Sequence, residues 1–235
     1  MTPITPAALA TRLAAACRAG ETLVAGITGS VAVGKTTLAR QIAEHLPGRV
    51  EIVSTDGFLL PNAVLEPAGL LMRKGFPESY DHQGMAAAIT GLKRLAADGP
   101  PVTVPAYSHA LYDIDPAGAR QIAAADVVLV EGLGLAPADD GRRPPLDLLL
   151  YIDADEPDVR HWFVERFIGL WAAAADDPTS FYARFRSMTE AEARAFAVSV
   201  WEGVNLPNWQ QHIVRARAVA DVVVKKTLDH SLMLA

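Results

Sequence analysis

The segment from Gly29 to Thr36 carries the clearest chemical signal in the chain. Its residues, Gly-Ser-Val-Ala-Val-Gly-Lys-Thr, match the pattern G-x-x-x-x-G-K-[ST] in full. An apolar stretch leads into it and a helical pattern leads out, so backbone N–H groups and the positive end of a helix dipole converge on one point. Such a point binds phosphate. The pattern predicts that the triphosphate of ATP contacts Gly29, Ser30, Val31, Ala32, Val33, Gly34, Lys35, Thr36 and Thr37.

Three polar residues in and near this loop suggest a magnesium-dependent phosphate chemistry. Lys35 is placed to reach the β and γ phosphates, and the Thr36 hydroxyl to ligate Mg²⁺. Glu131 follows the apolar run Val-Val-Leu-Val, on the side where ligands bind in open α/β sheets. It is a candidate to orient metal-bound water or substrate, although a strand-end acid that faces solvent is the alternative.

Asp56 is a candidate catalytic base. It follows a predicted strand, and its carboxylate could accept the proton of a substrate hydroxyl as that oxygen attacks phosphorus. Asp-Gly is also a common turn dipeptide, so Asp56 and Gly57 could simply form a turn. Spacing alone leaves both interpretations open.

The elements that must position these residues follow from hydrophobic patterning. Strands are predicted at 22–27, 50–53, 102–107, 127–130, 146–152 and 222–224, and helices at 36–46, 85–97, 156–175 and 189–200. Strands that alternate with helices indicate a mostly parallel sheet covered on both faces. We therefore expect one α/β domain over 1–235, a P-loop NTPase three-layer fold with a helical lid at about 156–210. The irregular segment 54–84 is long enough to be functional or disordered.

The first 20 residues are predicted to form a helix rather than a secretion signal. Thr5 is a plausible N-cap with Pro6 in the first turn, and Leu9, Leu13 and Cys17 recur at a spacing that buries one face. A basic leader is absent, and no stretch is long and apolar enough to span a bilayer.

Composition excludes several classes of function. The chain has 21 Lys and Arg against 27 Asp and Glu, a formal charge of -6, and its basic pairs at 142–143 and 225–226 are short. A nucleic-acid partner is therefore not expected. The single cysteine, Cys17, excludes an intrachain disulfide and a cysteine zinc cluster, which fits the cytoplasm. The guanine-reading Asn-Lys-x-Asp and the transporter Leu-Ser-Gly-Gly patterns are also absent, which favours a small-molecule kinase.

Three longer runs resemble the bacterial type I pantothenate kinase family. They are Asp-Gly-Phe-Leu-Leu-Pro-Asn from 56, Lys-Gly-Phe-Pro-Glu-Ser-Tyr-Asp from 74, and Pro-Ala-Tyr-Ser-His-Ala-Leu-Tyr-Asp from 105. The phosphate loop resembles that family too, and the matches keep the family's order from about 23 to about 230. The resemblance implies ATP-dependent phosphorylation of pantothenate, a small-molecule alcohol, in a homodimer that coenzyme A inhibits.

The resemblance also implies roles for particular residues. Asp56 is similar to the family's catalytic base and Arg166 to its phosphate-stabilising arginine. Tyr107, His109 and Asn205 match residues of the family's substrate pocket. Arg40 matches an arginine that contributes to inhibition by coenzyme A, and Lys226 and His230 match residues near the adenine. Without the resemblance, Arg166, His109 and Asn205 would each have an ordinary structural explanation on a helix face, in the interior or at a turn.

Two departures from the family concern the acceptor. Phe163 stands where the family has a tyrosine that bonds pantothenate, and an unmade hydrogen bond costs about 1 to 3 kcal/mol. The helical extension before the phosphate loop is missing, and the connection 135–146 is short. A nucleoside or sugar kinase, like uridine kinase or phosphoribulokinase, is therefore the alternative. A regulator that binds ATP without transferring phosphate is a third hypothesis.

Overall fold

The computed structural model describes residues 1–95, 100–137 and 143–235, which fold into a layered α/β structure. The described strands are β1 Thr2–Pro3, β2 Leu23–Gly29, β3 Val50–Ser54, β4 Val102–Ser108, β5 Asp113–Ile122, β6 Val127–Glu131, β7 Leu148–Ala154, β8 Val222–Lys226 and β9 Leu232–Leu234. The described α-helices are α1 Pro6–Ala14, α2 Lys35–Ala43, α3 Asn62–Leu65, α4 His82–Leu92, α5 Glu156–Ala173, α6 Glu190–Val200, α7 Leu206–Asn208 and α8 Arg215–Ala218. Two π-helical turns, Trp201–Asn205 and Trp209–Ile213, flank α7.

Seven strands form the central sheet in the order β1-β9-β8-β7-β2-β6-β3. The five strands from β8 to β3 are parallel, and β9 and β1 extend one edge of the sheet through antiparallel pairings. The predicted mostly parallel sheet is confirmed. Because parallel strands end at the same edge, the segments after β2, β3 and β6 lie close together there.

Alternating side chains of the strands pack into two hydrophobic cores, one on each face of the sheet. On β2, Leu23, Ala25 and Ile27 point into the core that α1 and α2 cover, whereas Val24 points into the core on the other face. The second core is closed by α4, by α8 and by an antiparallel hairpin of β4 and β5. This two-sided burial explains why the central strands β2 and β6 are largely apolar.

The helices agree with the predictions in type and differ at their ends. The Thr5 hydroxyl caps α1 by accepting a hydrogen bond from the Ala8 N–H at 3.2 Å. The helix ends at Ala14, so Cys17 is exposed and its predicted burial is wrong. α4 begins three residues before the predicted start because Asp81 accepts a hydrogen bond from the Gly84 N–H at 2.9 Å. The helix ends at Leu92, with Lys93 as its C-cap, so the predicted end at 97, itself outside the described residues, is wrong.

The predicted lid, about 156–210, is a helical region between β7 and β8. α5 and α6 pack together through the buried side chains of Val164, Phe167, Ala193 and Ala197. The predicted capping box at Thr189 and Glu192 is present. The lid contacts the tip of the β4–β5 hairpin, where the Phe181 N–H donates to the Ala110 carbonyl at 2.7 Å. Within the described residues, we find no helix with the length and apolarity needed to cross a membrane.

Candidate active site

The phosphate loop connects β2 directly to α2, as its pattern predicts. Gly34 adopts a φ of 96°, which favours glycine, and a Cβ there would lie 2.8 Å from the Lys226 ammonium. The Lys35 ammonium folds back over the loop and donates to the carbonyls of Ser30 at 2.8 Å and Gly29 at 3.3 Å. The buried Ser30 hydroxyl has no hydrogen-bond partner in the described part of the chain, which fits a loop built to hold a ligand.

Lys35 is a partly buried cation of the phosphate loop. Burial lowers its pKa to about 8, and the negative charges of Glu131 and Asp56 partly oppose that change. The two acids that the sequence singled out thus lie within the electrostatic reach of Lys35. Bound phosphate would supply the negative charge that favours the protonated amine.

The two candidate metal ligands contact each other. Glu131 ends β6, the strand between β2 and β3, and is 5% exposed. The Thr36 hydroxyl donates to its Oε1 at 3.0 Å. Burial raises the pKa of Glu131, with the charge of Lys35 acting in the opposite direction. No group of three or more acidic, His or Cys side chains in the described residues suits a metal ion. Two hard oxygen donors fit Mg²⁺, which keeps several waters and binds substrate phosphates.

Asp56 lies in a turn, and its carboxylate still faces the site. The turn spans Thr55–Phe58, directly after β3, and the Ser54 hydroxyl accepts a hydrogen bond from the Asp56 N–H at 3.3 Å. β4 packs against this turn so closely that a Cβ on Gly57 would lie 2.4 Å from the Pro105 carbonyl. The Asp-Gly pair therefore forms a turn, and Asp56 stays a candidate base. β6 separates β3 from β2, so Asp56 is not on the strand next to the phosphate loop.

His109 and Arg166 lie beside Asp56. The His109 Nε2 is 3.9 Å from the Asp56 Oδ2, and the Arg166 guanidinium is 3.5 Å from the same Nε2. Burial lowers the pKa of His109, an effect that Asp56 opposes and Arg166 reinforces. The Tyr107 ring meets the His109 ring edge-on at 5.3 Å. Residues from the turn after β3, the hairpin and α5 thus come together, although they are far apart in the sequence.

No described contact connects Phe163 or Asn205 to the Asp56 cluster, which consists of Asp56, Tyr107, His109 and Arg166. Phe163 lies about one turn before Arg166 on α5 and packs against the Trp201 ring at 5.8 Å. The Asn205 amide donates to the Val200 carbonyl at 3.3 Å, within the lid itself. Arg40 is exposed on α2.

Lys226 and His230 meet at Trp162, next to the phosphate loop. The Lys226 ammonium donates to the Val33 carbonyl at 2.8 Å and lies 4.4 Å from the centre of the Trp162 ring. The His230 ring stacks on Trp162 at 5.4 Å. Trp162 was not among the predicted site residues.

Sequence reasoning also missed a lysine beside Tyr107. Lys74 donates to the Tyr112 carbonyl, and its ammonium lies over the rings of Tyr107 and Tyr112 at 5.1 and 4.4 Å. Lys74 opens one of the runs that carry the family resemblance, and its position in that run was the available signal. Tyr182 of the lid lies close enough to Tyr107 and Tyr112 for its charge to raise the pKa of both phenols.

Fold and site together define a P-loop phosphotransferase. The sequence model described as "Phosphoribulokinase / Uridine kinase family" matches residues 24–163. Solved structures with this fold include a putative fructose transport system kinase from Silicibacter sp. TM1040, with a TM-score of 0.71 and 24% identity over 94% of this chain and 98% of that one. A possible uridine kinase from Bacillus stearothermophilus has a TM-score of 0.52 and 18% identity over 93% of this chain and 96% of that one.

Curated relatives are more similar in sequence. Pantothenate kinase from Xanthobacter autotrophicus is 42% identical over 89% of this chain and 68% of its own length. The pantothenate kinase from Leifsonia xyli is 45% identical over 89% of this chain and 67% of its own length. The chain belongs to the phosphoribulokinase/uridine kinase family and, within it, to the bacterial pantothenate kinase family. It is an ATP-dependent kinase, and the resemblance noted from its sequence is confirmed.

Proposed function

We propose that this kinase transfers the γ-phosphoryl group of ATP to the primary hydroxyl of pantothenate, the first step of coenzyme A synthesis. The observation that carries the proposal is the position of Asp56. Its carboxylate lies 3.9 Å from His109, within the electrostatic reach of Lys35, at the edge of the sheet where the phosphate loop lies. The curated relatives that are named pantothenate kinase support this acceptor.

Each residue of the site then has a defined task. The acceptor oxygen attacks the γ phosphorus, the bond from that phosphorus to the ADP oxygen breaks, and Asp56 takes the hydroxyl proton. Lys35 and Arg166 offset the charge that spreads over the transferred group. Thr36 and Glu131 would hold Mg²⁺ beside the phosphates, and the ion would supply positive charge there. The lid excludes water, which would otherwise consume ATP.

The test is acceptor-dependent ADP release by the purified protein, with the product identified by mass spectrometry. Pantothenate should give a rate well above the water background and a product heavier by one phosphate. Uridine, cytidine, fructose and ribulose phosphate are assayed under the same conditions. Turnover of one of these, with none of pantothenate, would overturn the acceptor and leave the kinase class intact.

Phe163 favours a nucleoside or a sugar as the second candidate acceptor. It presents no hydroxyl, and its ring packs against Trp201. A pocket without the tyrosine hydroxyl makes one polar contact fewer to pantothenate. The binding of a neutral acceptor with another hydroxyl pattern would not depend on that contact. The rates of ADP release with pantothenate, the nucleosides and the sugars decide between these acceptors.

The remaining inferences concern the nucleotide and regulation. We infer that Lys226, His230 and Trp162 form the wall next to the adenine, since they adjoin the phosphate loop. We also propose inhibition by coenzyme A through the exposed Arg40, a homodimer, and action in the cytoplasm, where ATP is available. If coenzyme A inhibited Arg40→Ala as strongly as the wild type, Arg40 would have no regulatory role. Analytical ultracentrifugation would measure the oligomeric state.

A further inference from the structure

A layer of buried polar groups lies directly behind the reacting side chains, at the carboxyl ends of β2, β6 and β3. In the parallel register, Glu131 pairs with the residues that precede Thr28 on one side and Thr55 on the other. Gly132 follows Glu131, so it lies level with the two threonines. Thr28 leads into the phosphate loop, and Thr55 leads into Asp56. Both threonines are fully buried, so their hydroxyls act on the site only through neighbouring protein groups.

Thr28 joins β2 to the segment after β6. Its hydroxyl donates to the Gly132 carbonyl at 2.8 Å. The Gly132 N–H donates to the Ile27 carbonyl at 3.1 Å. Two hydrogen bonds thus hold the segment that follows Glu131 against the strand that leads into the phosphate loop. Without the Thr28 hydroxyl, the buried Gly132 carbonyl would lose a partner, which favours a shift of that segment.

Thr55 joins the turn after β3 to the same segment. Gly132 has a φ of 148°, a conformation that favours glycine, and a Cβ there would collide with the Thr55 hydroxyl. The same hydroxyl accepts a hydrogen bond from the Gly134 N–H at 3.4 Å. Thr55 is the first residue of the turn that contains Asp56. Contact with the segment after β6 therefore limits where the Asp56 carboxylate can lie.

The side chains that this layer holds act on one another. Burial is the largest influence on the pKa of Lys35, and the charges of Glu131 and Asp56 act against it. Burial also raises the pKa of Glu131, and the charge of Asp56 adds to that rise. The two carboxylates thus repel each other, so the protein has to hold them in place. A reacting group misplaced by about 1 Å can cost about 10²-fold in rate.

We propose that Thr55 and Thr28 are positioning residues, which hold Asp56 and Glu131 at set distances from the phosphate loop. The role of Thr55 rests on the proposed function, in which Asp56 is the base. The role of Thr28 rests on Glu131 as a ligand of Mg²⁺. Each threonine acts through its contacts with the segment after β6 rather than by touching the reacting groups.

Thr55→Val tests the first role, because valine keeps the shape of the side chain and removes the hydroxyl. We expect kcat to fall about ten- to a hundredfold, the effect of a base displaced by up to about 1 Å, with KM for ATP nearly unchanged. Thr55→Ser keeps the hydroxyl and should restore most of kcat. In Asp56→Asn, the added Thr55→Val substitution should lower kcat little further, because Thr55 affects the rate through Asp56.

Thr28→Val tests the second role by calorimetry, which measures the binding of a non-hydrolysable ATP analogue with and without Mg²⁺. The wild type should bind the analogue more tightly when Mg²⁺ is present. Thr28→Val should reduce that enhancement about tenfold, because a group that orients a metal ligand is displaced. Binding without the metal should change little.

Thr22→Val is a matched control on the same strand. The Thr22 hydroxyl is also buried and donates to a backbone carbonyl, that of Ala125, at 2.8 Å. It lies at the opposite end of β2, away from the phosphate loop. Thr22→Val should lower the melting temperature much as Thr28→Val does. It should leave kcat and the enhancement by Mg²⁺ intact.

The outcomes distinguish this inference from the proposed function. If Asp56→Asn lost activity while Thr55→Val kept the kcat of the wild type, the role of Thr55 alone would be wrong. Equal losses from Thr55→Val in the wild type and in Asp56→Asn would also overturn it, and Thr55→Ala gives the same comparison if the valine variant does not fold. If Asp56→Asn kept its activity, the base and the role of Thr55 would both be wrong, whereas the calorimetric result for Thr28 would stand. An enhancement by Mg²⁺ that Thr28→Val leaves unchanged, or that Thr22→Val reduces equally, would overturn the role of Thr28.

Discussion

Replacing Asp56 by asparagine tests the central feature of the site, a carboxylate that faces the reacting hydroxyl. The substitution keeps the size of the side chain and removes its ability to take a proton. Loss of a general base costs about 10²- to 10⁴-fold in rate, or about 3 to 5 kcal/mol in the activation free energy. We therefore expect kcat of Asp56→Asn to fall by that factor, with the affinity for ATP nearly unchanged.

The structure limits what else this substitution should alter. No described hydrogen bond is accepted by the Asp56 carboxylate, and its side chain is 27% exposed. The melting temperature should therefore stay within about 2 °C of the wild type. The pKa of His109 should fall further, because Asp56 is the group that raises it, and NMR titration of the imidazole would measure this.

The assay is ADP release with saturating acceptor, beside nucleotide binding by calorimetry. Asp176→Asn is a matched control, because Asp176 is exposed beyond the end of α5. Its kcat should equal that of the wild type. If Asp56→Asn retained kcat within fivefold while folding and binding ATP normally, the assignment of Asp56 as the base would be refuted.

Three further predictions concern other parts of the molecule. kcat/KM for ATP should fall as pH rises through about 8, since Lys35 then loses the charge that binds phosphate, and the fall should be measurable in a pH–rate profile at saturating acceptor. Phe163→Tyr should lower KM for pantothenate about fivefold or more by adding a hydroxyl, and an unchanged KM would show that this position does not face the acceptor. Asn208→Ala should lower the free energy of unfolding by about 1 to 3 kcal/mol in urea titrations. The buried Asn208 amide donates to the Gly75 carbonyl at 2.8 Å, and the substitution leaves that carbonyl unpaired, so an unchanged midpoint would contradict the expectation.

Local sequence determined the phosphate loop and most of the sheet. The loop pattern needs only contiguous residues, with glycine at positions such as Gly34 where φ is positive. Strands such as β2 and β6 are largely apolar because both of their faces are buried, so the sequence alone marks them. The N-cap at Thr5 and the capping box at Thr189 are also local signals, and both were predicted.

The order of the strands and the meeting of distant residues were decided by tertiary structure. β5 is mostly exposed and mixes polar residues with Pro, Ala and Gly, so it has no alternation of polar and apolar residues that would reveal its pairing with β4. Cys17 shares the spacing of a buried helix face, but the helix ends before it. The contacts of Asp56 with His109, and of Lys74 with Tyr112, join segments that are 53 and 38 residues apart. Such contacts depend on how the hairpin and lid pack on the sheet, which no local pattern encodes.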